Sequence, residues 1–403
     1  MQQAEIHIKN SKEIEAICVN AKLLYNYALF NMRQSIFGKI EYFSEYELTG
    51  LFAEFKQFDY CNLPAQTSQQ VIKLMFKNIK SWQKAKEEYE KNPSKFKGKP
   101  KLPKFKDKTY IVIFTSQQIK LKDGYIHFPK MTNLEPLKTN VTNIKQVRIV
   151  PQANTFKIEV IYEKKATNLK LKKKNALTLD LGLNNFATCF DNVGNNPFII
   201  NGRIIKSFNH WYNKNRAKLM AFIGDKGNSN RIRALTHYRN CYMEDYLHKA
   251  SRYIVNYCIK NNIGTIVIGK NVQWKCEINL GSKNNQKFVE IPHAKLIDKI
   301  SYKAALVGIK VKVNEESYTS KCDALALEKV GKHETYLGKR KKRGLFQSSV
   351  GKLINADVNG AINIARKAKV FSDGFVKNLR NSGCAFQPIR VNPNKHFLTA
   401  NVA

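Results

Sequence analysis

The sequence lacks closely spaced cysteines and long apolar runs, and it is poor in acidic residues. Its eight cysteines are scattered and form no CxxC pair, which argues against both a disulfide framework and a zinc ribbon. No apolar run approaches the roughly 20 residues that span a bilayer. The N-terminus also lacks the pattern of a signal peptide, a basic stretch followed by an apolar one. We therefore expect a reduced, cytoplasmic protein with no membrane partner.

The shortage of acidic residues leaves a large positive charge. Asp and Glu number 31 against 69 Lys and Arg, which gives a formal net charge of +38 and a pI near 9.8. Such an excess favours a nucleic-acid partner, although a ribosomal-type RNA binder would show it too. With 43% hydrophobic and 11% aromatic residues, the chain can form buried cores and is not a disordered tail. Its 403 residues predict two or three domains.

Residues 1–174 predict a nucleic-acid-binding lobe. A strand is expected over 3–9, and an amphipathic helix follows with Ile14, Ile17 and Cys18 on its apolar face. A capping box predicts a second helix, and a third spans about 66–90. Strands follow at 110–114, 118–121, 125–128, 146–150 and 156–162. This order predicts a small β-barrel with a helical insertion at about 11–92.

A connector rich in lysine and proline spans 91–108, between the helices and these strands. Phe96 and Phe105 lie among lysines that can neutralise phosphates, and such aromatic rings either stack on bases or anchor a loop. A solvated linker is the alternative. The candidate nucleic-acid contacts are Lys97, Lys99, Lys101, Lys104 and Lys106.

Residues 175–370 alternate strands with helices. The expected strands are 176–182, 187–191, 197–200, 264–269 and 309–313, and the expected helices are 207–222, 230–260, 293–307 and 357–367. The order, β-β-β-α-β-α-β-α, is that of the RNase H-like α/β nucleases. Residues 371–403 have little periodicity and predict a surface tail.

Two acidic residues stand at the edges of these elements. Asp180 lies in a strand, on the face opposite Leu179 and Leu181, where a buried acid needs a compensating partner. Asp357 lies in the first turn of a helix, and helix capping alone would explain it. Mg²⁺ prefers oxygen ligands and would compensate both acids. Their joint placement favours a metal-dependent nuclease.

Three motifs occur in order: Leu179–Asn185 (LDLGLNN), Glu315–Lys321 (EESYTSK) and Asn355–Ala361 (NADVNGA). They resemble the RuvC-type nuclease domain of OrfB/TnpB insertion-sequence proteins, which are relatives of type V CRISPR effectors and of Fanzor proteins. The resemblance, which includes Lys104-Phe105-Lys106, extends over about 1–370. It implies a monomeric RNA-guided DNA endonuclease, often called a transposase, that binds guide RNA and double- and single-stranded DNA.

The chain departs from this family at the second acid. Relatives usually carry it just after the central strand, where this chain has Gly269, but some place it before the Tyr-Thr-Ser stretch. Glu315 and Glu316 stand there, and neighbours in an extended strand point to opposite faces, so only one can join Asp180. The Glu-x-x-Thr-Ser spacing favours Glu316, with Glu315 as the alternative. Two acids in a predicted loop, Glu277 and Glu290, are weaker candidates.

The implied site therefore holds two Mg²⁺ or Mn²⁺ ions on Asp180, Glu316 and Asp357. Many relatives also insert a zinc ribbon before the last acid. A four-thiolate site needs two CxxC pairs, whereas the insert 321–354 offers only Cys322 and His333 as soft ligands. We expect no structural zinc.

Two further basic stretches are candidate nucleic-acid contacts. The run in the insert either holds a nucleic-acid backbone or is a solvated loop, and the long helices can contact a heteroduplex backbone. The residues are Lys339, Arg340, Lys341, Lys342 and Arg343 in the insert, and Arg231, Arg233 and Arg239 in the helices. Two other functions stay open: a guided DNA-binding repressor without nuclease activity, which Gly269 motivates, and an RNA-independent transposase or nuclease.

Overall fold

The structure is a computed structural model that describes residues 2–153, 155–224, 227–270, 292–381 and 387–396. The chain divides into two compact units, Met1–Lys164 and Lys165–Ala403, so the boundary lies slightly before the predicted position at 174. Glu277 and Glu290 lie outside the described residues. Within the described ranges, no helix is both long and apolar enough to cross a membrane.

The first unit begins with a strand and four helices. They are β1 (Gln2–Lys9), α1 (Lys12–Ile36), α2 (Glu45–Glu54), α3 (Phe58–Cys61) and α4 (Ala65–Lys91). The predicted apolar face of α1 is buried throughout. The capping box that opens α2 is confirmed, because the side chains of Ser44 and Glu47 each accept a hydrogen bond from the other residue's backbone N–H.

Six strands follow in this unit. They are β2 (Val112–Thr115), β3 (Lys120–Lys122), β4 (Tyr125–His127), β5 (Leu137–Lys138), β6 (Ile144–Pro151) and β7 (Phe156–Glu163). They form an antiparallel sheet of order β1-β7-β6-β2 and a second sheet of order β3-β4-β5. The predicted small β-barrel is not confirmed, because the described strands form two separate open sheets. The reason is that β1 and β2, on either side of the helices, lie at opposite edges of the larger sheet.

The second unit contains the sheet on which the site is built. Its first elements are β8 (Ala176–Leu181), β9 (Asn185–Asp191), β10 (Phe198–Asn201), α5 (Arg203–Ile223), α6 (Asn230–Lys260), β11 (Thr265–Gly269), α7 (His293–Leu306) and β12 (Lys310–Asn314). This order confirms the α/β pattern predicted from the sequence. The strands β12 and β11 run parallel to β8, and β9 pairs antiparallel on its other side.

The later elements of this unit are β13 (Lys339–Lys342), β14 (Leu345–Gln347), β15 (Leu353–Asn355), α8 (Ala356–Lys367), α9 (Asp373–Leu379) and β16 (Ile389–Val391). In the insert, β13, β14 and β15 form a small antiparallel sheet. Lys339–Lys342 therefore form a strand paired with β14 and not a loop, and all four side chains remain exposed.

Helices cover both faces of the large sheet. Leu177, Leu179 and Leu181 pack in a core with residues of α6 and α7. Ala176 belongs to a different core, formed with α8 and α9. Because side chains alternate along a strand, Asp180 points toward the face that α8 covers.

The prediction of a surface tail over 371–403 is wrong for the two described segments that form α9 and β16. Val376 and Leu379 of α9 are buried in the core with α8, and β16 extends the large sheet by pairing parallel with β10. Val391 is buried in the other core. Such short elements need no periodicity of their own, since β10 supplies the hydrogen bonds and the existing cores bury their few apolar side chains.

Candidate metal and nucleic-acid site

Three acidic residues from distant parts of the chain approach one another beside β8. Asp180 lies on β8, Glu316 follows the end of the parallel strand β12, and Asp357 lies in the first turn of α8, a helix that packs against β8, β9 and β11. The cap of α8 is Asn355, whose side chain accepts hydrogen bonds from the backbone N–H groups of Asp357 and Val358. The carboxylate of Asp357 is therefore not needed as the helix cap.

Two glycines provide the space that these carboxylates occupy. A Cβ atom on Gly360 would lie 2.5 Å from Oδ2 of Asp180. A Cβ atom on Gly269 would lie 2.5 Å from Oε2 of Glu316 and equally close to Cδ1 of Ile364. Any side chain at either position would force a carboxylate to move, so these glycines shape the site.

The electrostatics of the site disfavour bare negative charge. Burial, followed by the nearby Glu316 and Asp357, raises the pKa of Asp180 well above its usual value. Burial is also the largest cause that raises the pKa of Glu316, to about 7, with Glu315 adding to it. Glu316 is 9% exposed, and its Oε2 atom has no hydrogen-bond partner. A buried acceptor without a donor is costly, and a cation would offset that cost.

Glu315 has a different environment. It is exposed, it forms an ion pair with Lys367, and it accepts hydrogen bonds from the backbone and side chain of Ser317. These contacts, led by the hydrogen bond from Lys367, lower the pKa of Glu315 to about 2. The structure thus brings Glu316 toward Asp180 and leaves Glu315 engaged at the surface.

Polar side chains also surround Asp357. The amide of Asn185 donates a hydrogen bond to Oδ2 of Asp357, and Arg390 on β16 donates to Oδ1 of Asn185 at 3.0 Å. The guanidinium of Arg340 lies 3.8 Å from Oδ1 of Asp357. Sequence reasoning missed the roles of Asn185 and Arg390. Asn185 stands in the first motif, but no signal marks Arg390.

The donor atoms suit a hard divalent cation. Carboxylate oxygens are the ligands that Mg²⁺ and Mn²⁺ prefer, and the unpartnered Oε2 of Glu316 is available to such an ion. Among the described residues, no group of three or more His, Cys, Asp or Glu side chains is arranged to hold a metal ion. Carboxylates repel one another until a cation neutralises them, so the three side chains would have to draw together around the metal.

A hydrogen-bond network stabilises the insert next to the site. The buried carboxylate of Asp323 accepts hydrogen bonds from Oγ of Ser348 at 2.8 Å and from the backbone N–H of Ser349 at 2.7 Å. The thiol of Cys322 donates to the carbonyl of Gly331, and His333 contacts the carbonyl of Lys329. The sequence does not reveal the contacts of Asp323, because Ser348 and Ser349 lie 25 and 26 residues away along the chain.

Two buried asparagines fasten the insert to α8. The amide of Asn359 donates to the carbonyl of Cys322 at 2.9 Å. The amide of Asn363 donates to the carbonyls of Thr319 and Cys322 at 2.9 Å and 2.7 Å. The helix that carries Asp357 therefore also holds the insert that carries Arg340.

The connector in the first unit is anchored and is not a free linker. The side chain of Asn26 bonds both the N–H and the carbonyl of Lys106, and the indole of Trp82 donates to the carbonyl of Pro100. The guanidinium of Arg33 lies 4.4 Å from the centre of the Phe105 ring. Four predicted contacts stay exposed on this anchored chain, and Lys106 is half-buried. The exposed four are Lys97, Lys99, Lys101 and Lys104.

The other predicted nucleic-acid contacts differ in how exposed their side chains are. Arg231 is exposed at the start of α6, whereas Arg233 and Arg239 are half-buried. Nε of Arg239 donates to Asn209 at 3.0 Å, so its guanidinium already has a structural partner. Five insert residues are exposed along β13 and the turn after it, namely Lys339, Arg340, Lys341, Lys342 and Arg343.

Two protein-family models match the chain in succession. The model OrfB_IS605, described as a probable transposase, matches residues 158–275. A model of the Cas12f1-like TNB domain matches residues 293–364. Together they cover the insert and every strand of the large sheet except β16. No curated protein matches the chain.

Solved structures align over most of the chain at low identity. A Cas12f1–sgRNA–target DNA complex is 15% identical over 91% of this chain and 100% of that chain, with a TM-score of 0.37. A CRISPR-Cas12f ternary complex is 13% identical over 87% and 80%, with a TM-score of 0.38. The mini-RNA-guided endonuclease CRISPR-Cas_phi3 is 10% identical over 92% of each chain, with a TM-score of 0.45.

The two matched family models follow one another in the order of the three sequence motifs. The chain is therefore similar to the OrfB_IS605 probable transposases over 158–275 and to the Cas12f1-like TNB domain over 293–364.

Proposed function

We propose that the chain is an RNA-guided DNA endonuclease in which Asp180, Glu316 and Asp357 hold divalent metal ions. The observation that carries this proposal is the buried, unpartnered Oε2 of Glu316 in a site where Asp180 interacts electrostatically with both other acids. The charges of Glu316 and Asp357 raise the pKa of the buried Asp180, and a bound cation would offset this repulsion.

The residues of this chain have distinct tasks in the proposed site. Two Mg²⁺ or Mn²⁺ ions, when bound, lower the pKa of an attacking water and stabilise the leaving 3′ oxygen. Gly269 and Gly360 leave room for the carboxylates that would hold the ions. Asn185 orients Asp357 through its hydrogen bond, so that one carboxylate oxygen keeps a fixed direction.

The basic strand β13 is the proposed contact for the DNA backbone near the site. Arg340 lies beside Asp357, and its neighbours on the same strand are exposed lysines. An arginine in this position binds phosphate by paired hydrogen bonds. Arg340 and Asp357 now partly neutralise each other. This contact would change when Asp357 binds a metal ion and Arg340 binds a phosphate.

Guide RNA and target DNA are the proposed partners of the whole chain. The similarity to the two family models supports an RNA guide, and the net charge of +38 supports polyanion binding. In guided effectors, pairing between guide and target supplies most of the sequence choice. The protein itself would then contribute the metal site and contacts to the nucleic-acid backbone.

The test is to purify the protein with the RNA transcribed from its own locus and to sequence that RNA. The complex is then given a plasmid library with randomised flanks beside the guide-matched sequence, in Mg²⁺ and in EDTA. We expect cutting in Mg²⁺ alone, and loss of cutting in Asp180→Asn with RNA and DNA binding retained. Guided binding without cutting by the wild type would identify a repressor, and cutting without RNA would identify an RNA-independent nuclease.

A further inference from the structure

The helix α5 has an unusually open surface. It is 21 residues long, and its buried residues are Ile205 and Asn209. A surface helix normally buries a broad apolar stripe. Here several large aromatic side chains lie along α5 and on the facing part of α6 and remain partly open to solvent.

Four aromatic residues form what we call the aromatic patch: Phe208 and Trp211 of α5, and Tyr238 and Tyr242 of α6. The rings of Phe208 and Tyr242 are stacked, with centroids 3.9 Å apart and planes inclined by 17°. Trp211 lies 5.3 Å from Phe208 and meets Tyr238 edge-on at 6.0 Å. Trp211 is nevertheless 43% exposed and Tyr238 55% exposed.

The surroundings of the aromatic patch are positively charged. From Arg203 to the end of α5, and from Asn230 to Met243 of α6, the sequence contains no Asp or Glu. The same two stretches contain eight cations: Arg203, Lys206, Lys214, Arg216, Lys218, Arg231, Arg233 and Arg239. Asp245, an acid whose charge acts on Tyr242, is paired with Lys249 at 2.7 Å.

We propose that the aromatic patch binds the unpaired bases of a single-stranded nucleic acid, while the exposed cations of α5 and α6 bind its phosphates. Every base has a flat face that stacks on an aromatic ring, so such binding needs no particular sequence. In a duplex the bases already stack on one another, and the patch would find no free base face. The inference rests on the proposed function only in naming a nucleic acid as the partner.

The charge around the aromatic patch favours a single-stranded nucleic acid over the apolar face of a protein partner. The docking face of a protein partner is usually depleted in charge at its centre, whereas here cations flank the rings and acids are absent from both helical stretches. Single-stranded nucleic acid matches both properties, since it offers base faces and phosphates at regular spacing.

The test measures binding by the full-length protein, freed of RNA, in EDTA so that no cutting occurs. The probes are a fluorescent single-stranded poly-dT oligonucleotide, the same strand with abasic sites in place of its bases, and a duplex of equal length. We expect Trp211→Ala and Tyr238→Ala to weaken binding of the normal strand by about 10-fold or more, the size typical for loss of one stacked base. Binding of the abasic strand and of the duplex should change by less than about 3-fold, and the salt dependence should stay the same.

Two variants guard against a folding defect. Trp211→Phe keeps an aromatic face and should retain most of the wild-type affinity. Phe222→Ala removes a ring that is 87% exposed on the same helix but outside the patch, and it should leave binding unchanged. Equal losses on the normal and abasic strands, or unchanged affinity in both alanine variants, would overturn the proposal. Neither outcome depends on whether the protein cuts DNA.

Discussion

The carboxylate of Glu316 fills the space that a side chain at Gly269 would need. The position of a Cβ atom on Gly269 lies 2.5 Å from Oε2 of Glu316. The resemblance of the sequence motifs to OrfB/TnpB proteins predicts an acid where this chain has Gly269. The geometry therefore indicates an exchange, in which the acid comes from the end of β12 and the glycine makes room for it.

Replacing Gly269 by alanine tests this relationship. The added methyl group would press on Glu316 and on Ile364, and overpacking of this kind typically costs about 1–3 kcal/mol. We expect Gly269→Ala to lower the cleavage rate by at least about 10-fold and to lower the melting temperature. Gly50→Ala is the matched control, since a Cβ atom there meets nothing within 4 Å. Equal behaviour of the two variants would contradict the account.

Moving the acid from position 316 to position 269 tests whether the two positions are interchangeable. We expect Gly269→Glu alone to be inactive, because two carboxylates would then compete for one buried space. The double variant Gly269→Glu/Glu316→Ala restores a single acid on the same side of the sheet. It should recover part of the lost cleavage, measured as the initial rate in Mg²⁺. A double variant no better than Glu316→Ala would show that the two positions are not interchangeable.

The hydrogen bonds from Arg390 to Asn185 and from Asn185 to Asp357 link the C-terminal strand to the site. Outer partners of a metal ligand typically change metal affinity or activity by about 10- to 100-fold. We expect Asn185→Ala to raise the Mg²⁺ concentration for half-maximal cleavage by about that factor, and Arg390→Ala by less.

Arg390→Lys should rescue part of this loss, because lysine keeps a donor to Asn185. Arg203→Ala, which removes an arginine near Arg390, is a control for lost positive charge. If Arg203→Ala and Arg390→Ala shift the Mg²⁺ requirement equally, the effect comes from charge and not from positioning of Asp357.

The hydrogen bonds to Asp323 predict that the insert is stable without a zinc ion. Removing Asp323 would leave the buried hydroxyl of Ser348 and the N–H of Ser349 without their acceptor, and breaking such a network typically costs about 3 kcal/mol. We expect Asp323→Ala to lower the melting temperature by several degrees. The wild type should contain no stoichiometric zinc by elemental analysis, and a zinc chelator should leave its melting temperature unchanged. A chelator-sensitive transition would contradict this prediction.

Lys303 predicts a pH-dependent stability. It is 4% exposed, and its ammonium donates to the carbonyl of His248 and the hydroxyl of Ser251. Burial, followed by Arg252 and Lys299, lowers the pKa of Lys303 from 10.5 to about 7. The pKa of Lys303 is lower in the folded chain than in the unfolded chain. The free energy of unfolding is therefore highest above pH 10.5, and it declines as the pH falls toward 7.

Lys303→Met removes this titration. At about 1.4 kcal/mol per pKa unit, the wild type should lose a few kcal/mol relative to the variant between about pH 10 and pH 7. Calorimetric melting across that range measures the difference. The exposed Lys295, on the same helix, provides the control Lys295→Met. A constant difference between wild type and Lys303→Met at all pH values would contradict the assigned cause.

Much of the fold could be predicted from the sequence, because the long elements repeat their pattern many times. The helix α6 has the bounds that were expected, and the strands β8 to β12 follow in the expected order. The strand β16 could not be predicted, since three residues carry no periodicity and their partner β10 lies far away along the chain. The open sheets of the first unit likewise depend on pairing between distant strands.

The candidate site was only partly accessible from the sequence. Alternation along a strand shows that Glu315 and Glu316 cannot both face Asp180, but the surroundings of each acid require the folded chain. The ion pair of Lys367 with Glu315, and the space above Gly269, come from elements that meet only in three dimensions. The contact of Arg340 with Asp357 also depends on how the insert is fastened to α8.

The most direct test of the central claim compares two neighbouring residues, Glu316→Gln and Glu315→Gln, in one cleavage assay. Each variant is assembled with the same guide RNA and given the same target DNA over a Mg²⁺ titration. We predict that Glu316→Gln loses at least about 100-fold in rate while Glu315→Gln stays within about 3-fold of the wild type. Rapid Mg²⁺-dependent cleavage by Glu316→Gln would contradict the proposed metal site.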